Sequence, residues 1–309
     1  MISVTFCQIC AIQAQYNGGA IKFHLDYVSD DNGYSSNTCD LWEEIRSSNF
    51  FWNRVTMKKA MHMGAKFAQD MGDSSSSKKY SSTESSITAT LRDDHYDTDG
   101  KYIFEDVSRT IDSAVIVGLN SGYDEDIDGD SWLAPTSVEV ASTVSAYNVL
   151  FCTEYPVNTA DTDAGVAGVL YGRYGGDNYA GGNPWVLSTA ALAQLLYRGA
   201  SSILDSGLPS TDALDAWAVA LNLGKSASDL PSDPSALATL FAASGDGVLL
   251  RLRKHVEADG FHLAEQIDRD TGKQMSASDL TWSYAEVLNA MDKRVEFMTN
   301  LSTKKAGKR

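Results

Sequence analysis

Apolar residues along this chain recur at short, helix-compatible steps, and nowhere does the alternating pattern of a half-buried strand repeat. Between Leu41 and Met71 the residues Ile45, Phe50, Phe51, Val55, Met57, Ala60, Met63 and Phe67 keep that helical spacing. Comparable stretches run over Thr189–Arg198, Thr211–Leu223, Pro234–Phe241 and Gly247–Ala258. A last helix is read from Asp279, a good N-cap, through Trp282, Ala285, Leu288 and Met291. A short strand is read at Ser113–Leu119. The expectation is a mostly α protein, and the lack of a fixed-period repeat disfavours a helical solenoid.

The connections between these helices are long and polar. Ser74–Ser86 reads as a serine-rich, low-complexity loop, exposed and mobile. Asp124–Asp130 reads as an acidic turn, and Tyr171–Gly182 is rich in glycine and aromatics. Functional residues often sit on loops of this kind, held by a rigid helical scaffold.

Charge narrows the function. Lys and Arg number 25 against 41 Asp and Glu, a net charge of −16, which repels a phosphate backbone and disfavours nucleic acid as a partner. No run approaches the ~20 consecutive apolar residues of a membrane helix, so no membrane span is expected. The 43% hydrophobic content is ample for a sizeable core. Four cysteines, Cys7, Cys10, Cys39 and Cys152, are too few for a disulfide framework in a chain of this length. Cys7 and Cys10 form a C-x-x-C that lacks the second pair or nearby His of a zinc site. Met1–Gln15 carries no basic n-region and makes a poor signal peptide. Lys304–Arg309 reads as a solvated basic tail.

Several motifs fail on inspection. Asp124-Glu125-Asp126-Ile127-Asp128-Gly129 begins like a calcium loop, but Pro135 stands at the position of the bidentate Glu. Gly224-Lys225-Ser226 ends like a phosphate loop, yet Val219 replaces its first Gly. No G-x-S-x-G or H-E-x-x-H occurs, and the five His are scattered.

The carboxylates carry more. Asp40-Leu41-Trp42-Glu43-Glu44 precedes an apolar run, and its D-x-x-E spacing reads as a capping box opening a helix. The same cluster has a second reading, because ionising one carboxyl beside another is costly, and a Glu held protonated is what a general acid needs. Glu265 sits in a loop, Asp259–Gln266, ahead of the last helix. Considered alone it is an ordinary polar loop residue. As a pair with Glu43 it matches glycoside hydrolysis, which needs a carboxyl on each side of the scissile bond. Trp42, Tyr174, Tyr179, Trp185 and Trp282 lie in or near these segments and suit the C–H faces of sugars, although each is equally a core aromatic.

Together the segments resemble one family. Asp40-Leu41-Trp42-Glu43-Glu44-Ile45, Tyr171-Gly172-Arg173-Tyr174, Gly182-Asn183-Pro184-Trp185-Val186-Leu187 and the run Gln274–Ala285 are similar, in order and spacing, to the glucoamylases of glycoside hydrolase family 15. The likeness covers residues 22–298, with 1–21 unmatched and 299–309 a tail. It implies an all-α (α/α)6 barrel that removes glucose, with inversion, from the non-reducing ends of α-1,4 glucans. On that resemblance Glu43 is the general acid and Glu265 the general base, standing ~6.5–9.5 Å apart so that a water fits between base and sugar. Asp40 is a neighbour that helps hold Glu43 protonated. Trp42 and Glu44 line the sugar site, Arg173 and Asp177 bond glucose hydroxyls, Trp185 stacks nearby, and Ser276 contacts the base. No metal or organic cofactor is implied. The partner is an α-glucan, the enzyme a monomer, and the location secreted by analogy, with one glycosylation sequon at Asn300-Leu301-Ser302.

The chain also departs from the family. The region that precedes the acid motif in family members, with its Trp-x-Arg-Asp sugar-binding motif, has no counterpart ahead of Asp40, and Trp52-Asn53-Arg54-Val55 is not that motif. Thr38-Cys39 replace the usual Gly before the acid segment. The expectation is therefore a barrel incomplete at its N-terminus, with apolar faces left uncovered. The alternative function is an inactive partial barrel that at most binds glucan.

Overall fold

Helices joined by short two-stranded hairpins build the computed structural model, which describes residue 16 and residues 18–129 and 131–307. Cys7, Cys10 and the Met1–Gln15 start lie outside the described residues. The chain divides into two units, Met1–His95 with Ser121–Ile127, and Tyr96–Asn120 with Asp128–Arg309.

In the first unit a hairpin of two long helices, Phe51–Asp70 and Ser74–His95, packs with the helix Ala20–Ser29. Its core joins Tyr16, Met61, Ala65, Ala68, Tyr80 and Ile87, with Leu25, Val28 and Phe67 against them. The serine-rich loop expected at Ser74–Ser86 is instead the start of the second helix. Ser74, Ser75, Ser81, Ser82, Ser85 and Ser86 are exposed, while Ser76, Tyr80, Thr83, Ile87, Leu91 and His95 form a buried stripe at steps of three and four. Several hydroxyls return to carbonyls one turn back, Ser85 to Ser81 at 2.9 Å and Ser86 to Ser82 at 3.0 Å. Asp73 caps the helix by accepting from the Ser76 amide at 3.0 Å, and hydrogen bonds from Ser76 hold its carboxyl well below the usual range. Weak propensity is overridden here by burial of one face.

In the second unit the helix Val186–Ser206 is the core element, packed by both Pro234–Val256 and Thr281–Gly307. Every residue from Val186 to Tyr197 is buried, the signature of a helix enclosed on all sides. Asp246 ties the three together, accepting from Tyr197 at 2.7 Å and Arg294 at 2.6 Å. Val138–Glu154, capped by Ser137, packs on Thr211–Ala220. Neither Val138–Glu154 nor the following Pro156–Asp163 was legible as a helix, since burial on several faces blurs their periodicity.

Three sequence expectations change. Ser113–Leu119 is not a strand; Ala114–Gly122 is a helix whose Val115, Ile116 and Leu119 are fully buried, and a short apolar run does not separate the two alternatives. Pro234–Phe241 and Gly247–Ala258 are parts of one helix, Pro234–Val256, that runs unbroken through Gly245. That segment is long and apolar enough by composition to cross a membrane, but half of its most apolar window is buried within the fold. The last helix starts at Thr281, and Asp279 does not cap it but pairs with Tyr284 at 2.6 Å and His262 at 2.8 Å. On the outer side of this helix Leu288, Met291, Val295 and Met298 are exposed.

A buried charge cluster joins Pro156–Asp163 to Pro234–Val256. Arg251, 1% exposed, donates to Asn158 and Thr162, while Asp161 accepts from His255 at 2.7 Å and Lys254 at 2.5 Å. Burial pushes the Asp161 carboxyl up, but the hydrogen bonds from Lys254 and His255 outweigh it and leave it below its ordinary value. A depressed carboxyl contributes stability that is complete above its unfolded value of ~4 and is lost as pH falls through the folded one. Asp161→Asn is expected to lose about 3 kcal/mol at neutral pH, and urea unfolding should show that difference shrinking toward pH 3. A difference unchanged with pH contradicts the linkage.

Candidate active site

The acid motif lies in the first unit, at the tip of a small hairpin. Thr38–Cys39 pairs antiparallel with Arg46–Ser47, and Asn53 from the following helix anchors it through Thr38 at 2.8 Å and the Cys39 carbonyl at 3.1 Å. Asp40, 4% exposed, turns its carboxylate inward to accept from the Glu44 amide at 2.7 Å and the Ile45 amide at 3.0 Å. The capping-box expectation is thus corrected: the helix begins only at Phe51, and the Asp40 side chain closes a turn instead. Glu43 at the tip takes φ 61°, a conformation few non-glycine residues adopt and one that ends any helix. Glu43 and Glu44 are exposed, whereas Trp42 is buried.

Arg173, Asp177, Trp185, Glu265 and Ser276 all lie in the second unit, and the structure brings them together there. Arg173 and Asp177 form a bidentate pair, Nε to Oδ2 and Nη2 to Oδ1 both at 2.8 Å, and they are only 3% and 4% exposed. The guanidinium stands 5.1, 4.9 and 5.1 Å from the rings of Tyr174, Tyr179 and Trp185, so a planar cation is framed by aromatics. The Trp185 amide donates to the Tyr171 carbonyl at 2.7 Å, closing the Tyr171–Gly182 loop beneath it. The loop depends on Gly182, which has φ 66° and whose Cβ would stand 1.9 Å from the Asp177 carbonyl oxygen. Gly182→Ala is expected to cost at least about 2 kcal/mol in urea unfolding. Gly176→Ala, at φ 74° with nothing nearby, should cost about half as much. Equal losses would show that the contact with Asp177 is irrelevant.

Glu265 sits at the mouth of a second hairpin, Gln266–Ile267 paired with Gln274–Met275. That register sets Ser276 opposite Glu265, and the Ser276 hydroxyl donates to Glu265 Oε2, joined by the Gln266 side chain at 3.2 Å. The Glu265 carbonyl accepts from the Val186 amide at 3.1 Å, and Trp185 bridges to Gln266. The base candidate is therefore tied to the first turn of the core helix and to the aromatic frame around Arg173. Ser276 also has a positive φ, 67°. Glu43 and Ser276 are two of eight non-glycine residues with positive φ among the described residues.

Sequence reasoning missed the residues that organise this region. The Asn183 side chain donates to Ala180 O at 2.8 Å and Gln266 Oε1 at 2.9 Å and accepts from the Arg269 amide at 3.1 Å. Arg269 in turn grips the Gly182 carbonyl at 3.1 Å and the Glu154 carbonyl. Only the flanking position of Asn183 between Gly182 and Pro184 hinted at it. Among the described residues no group of three or more His, Cys, Asp or Glu is arranged to hold a metal ion.

Residues 10–292 match Glycosyl hydrolases family 15. A glucoamylase of Blastobotrys adeninivorans is 31% identical, over 91% of this chain and 48% of that protein. Glucoamylase 1 of Rhizopus oryzae is likewise 31% identical, over 88% of this chain and 46% of its own length. Among solved structures, a glycoside hydrolase family 15 glucoamylase from Hypocrea jecorina aligns with a TM-score of 0.79 at 28% identity, covering 92% of this chain and 48% of that one. The chain belongs to glycosyl hydrolase family 15. Its helices correspond to part of the (α/α)6 barrel of that family, and it spans about half the length of the relatives it matches.

Proposed function

We propose that this protein hydrolyses terminal α-1,4-linked glucose from the non-reducing ends of starch- or glycogen-type glucans, releasing β-glucose by inversion. Glu43 delivers a proton to the glycosidic oxygen, and Glu265 draws a proton from the attacking water. The observation that carries this reading is the seat of Glu265, a partly exposed carboxylate oriented by Ser276 and Gln266. A base must be fixed in direction to serve one face of a sugar. Arg173, fixed in direction by the enclosed Asp177 carboxylate, serves sugar hydroxyls, Trp185 and Tyr179 form an aromatic wall, and Trp42 and Glu44 flank the acid. Asp40 supports Glu43 by shaping its turn.

Incubating the pure protein with maltose or soluble starch and following the anomer first released tests this directly. Initial β-glucose supports the proposal, and initial α-glucose overturns inversion. No glucose from folded protein overturns the enzyme reading, and retained binding to a glucan column would then favour the glucan-binding alternative.

A further inference from the structure

We infer that Asn53 is a positioning residue for Glu43: its side-chain amide clamps the incoming strand of the acid hairpin to the first turn of the helix Phe51–Asp70. The assignment deepens the reading of Glu43 as the general acid, and its catalytic part rests on that reading.

Asn53 is 8% exposed, and its Nδ2 donates to Thr38 Oγ1 at 2.8 Å and to the Cys39 carbonyl at 3.1 Å. A backbone carbonyl only accepts, so the atom facing it is the amide nitrogen. Asn53 Oδ1 is buried and has no hydrogen-bond partner among the described residues. Burying a carbonyl oxygen in that way is unfavourable, so what the side chain contributes here is its two bonds to the hairpin. Neither half of the contact belongs to a family motif. Thr38 and Cys39 stand just ahead of Asp40, and Asn53 sits in Trp52-Asn53-Arg54-Val55.

Asn53 holds the peptide from which the acid loop departs. The oxygen of the Cys39–Asp40 peptide accepts from Asn53, and its N–H donates to the Ile45 carbonyl at 3.1 Å. Inside the loop so closed, the Asp40 carbonyl accepts from the Glu43 amide at 3.2 Å, and the Asp40 carboxylate takes the amides of Glu44 and Ile45. Fixing that one peptide plane therefore fixes the direction in which Glu43 leaves the hairpin.

The hairpin does not supply this by itself. It pairs only Thr38 with Ser47 and Cys39 with Arg46, and so small a ribbon is not stable unaided. Arg46 braces it internally, to the Asn37 carbonyl at 2.9 Å and Cys39 Sγ at 3.3 Å. The outgoing end is held separately by Arg54, which donates to the Ser48 carbonyl at 3.2 Å with the Tyr34 ring against its guanidinium. That bond and the buried Trp42 keep the hairpin attached when Asn53 is replaced. The incoming strand alone is freed. Glu43, at φ 61°, keeps an unfavourable conformation that lasts only while its surroundings impose it, so loosening the strand lets its carboxyl turn away from one direction.

The test compares wild type with Asn53→Leu, which has the same branching but no donor, and with Thr38→Val, which removes only the hydroxyl acceptor. Hydrogen–deuterium exchange of the Asp40, Glu43, Glu44 and Ile45 amides is followed in substrate-free protein and corrected for intrinsic rates. It is expected to be about tenfold faster in Asn53→Leu and about threefold faster in Thr38→Val. On maltose the kcat of Asn53→Leu is expected to fall about tenfold with KM within about twofold, since a misdirected acid acts on the chemical step. On a glucosyl fluoride, whose leaving group needs little protonation, the fall is expected to stay below about twofold. A merely structural role would lower both substrates alike. Unchanged loop exchange overturns the clamp, and equal losses on the two substrates, or none on maltose, overturn the positioning of Glu43. If Asn53→Leu does not fold, Thr38→Val decides: wild-type loop exchange or a wild-type ratio of maltose to fluoride turnover overturns the proposal. Failure of the underlying reading is seen elsewhere, in a Glu43→Gln variant that turns over maltose normally, and leaves the exchange result standing.

Discussion

Glu265→Gln is expected to lower glucose release from maltose by about 10²–10⁴-fold, the usual contribution of a positioned base, while substrate affinity changes little. An amide keeps the size and most of the hydrogen bonding of the carboxylate, and the contacts from Ser276 and Gln266 hold it in the same place. It does not take a proton from water. The loss therefore falls on kcat, with KM nearly constant. The acid variant behaves differently: Glu43→Gln should be severely impaired on maltose and far less so on a glycosyl fluoride, whose leaving group needs little protonation. If Glu265→Gln turns over maltose at near wild-type rate, the base is another group. Loss of affinity with unchanged kcat would instead make Glu265 a binding residue.

Arg173→Met is expected to destabilise the protein by about 3–5 kcal/mol, because it leaves the buried Asp177 carboxylate without its cation. Both side chains are almost fully enclosed, and their two hydrogen bonds at 2.8 Å are the charge-assisted, fork-to-carboxylate kind. The substitution also takes the cation from Tyr174, Tyr179 and Trp185. Burying the pair costs desolvation in the first place, so Arg173→Met/Asp177→Leu should recover much of the loss, with stability closer to wild type than to the single variant. Urea midpoints of the three proteins decide it. A single-variant cost below about 1 kcal/mol would mean that water reaches the pair and screens it. The double variant should still fail to hydrolyse glucan, because a stable apolar pair offers nothing to a sugar hydroxyl.

The helices legible in the sequence included ones with marked ends, such as Thr211–Ala220 with Ser210 at its cap, and the all-round buried Val186–Ser206, of which the segment Thr189–Arg198 was read. The family motifs were legible for another reason: they combine residue types that local structure alone does not require. Asp40 and Glu43 illustrate the limit. Their spacing fits a helix cap as well as it fits a turn, and the Asp40 carboxylate bonds nearby backbone amides in either case. The choice falls to the turn because Thr38–Cys39 meets Arg46–Ser47 and forces the intervening residues to reverse direction. Ser74–His95 makes the converse case. Serine content argued for a loop, and the helix exists because a neighbouring helix covers the stripe through Tyr80 and Ile87.

Composition and order of residues settled the α class, the family, and the identity of Glu43, Arg173, Asp177, Trp185, Glu265 and Ser276 as the residues to watch. The class follows from periodicity, while the family and its candidate residues follow from the resemblance of several short motifs in their order along the chain. The pairing of Arg173 with Asp177, the facing of Ser276 and Glu265, and the brace at Asn183 were fixed by folding. Each is a contact between distant stretches, and its energy depends on burial and alignment that no single stretch of chain contains.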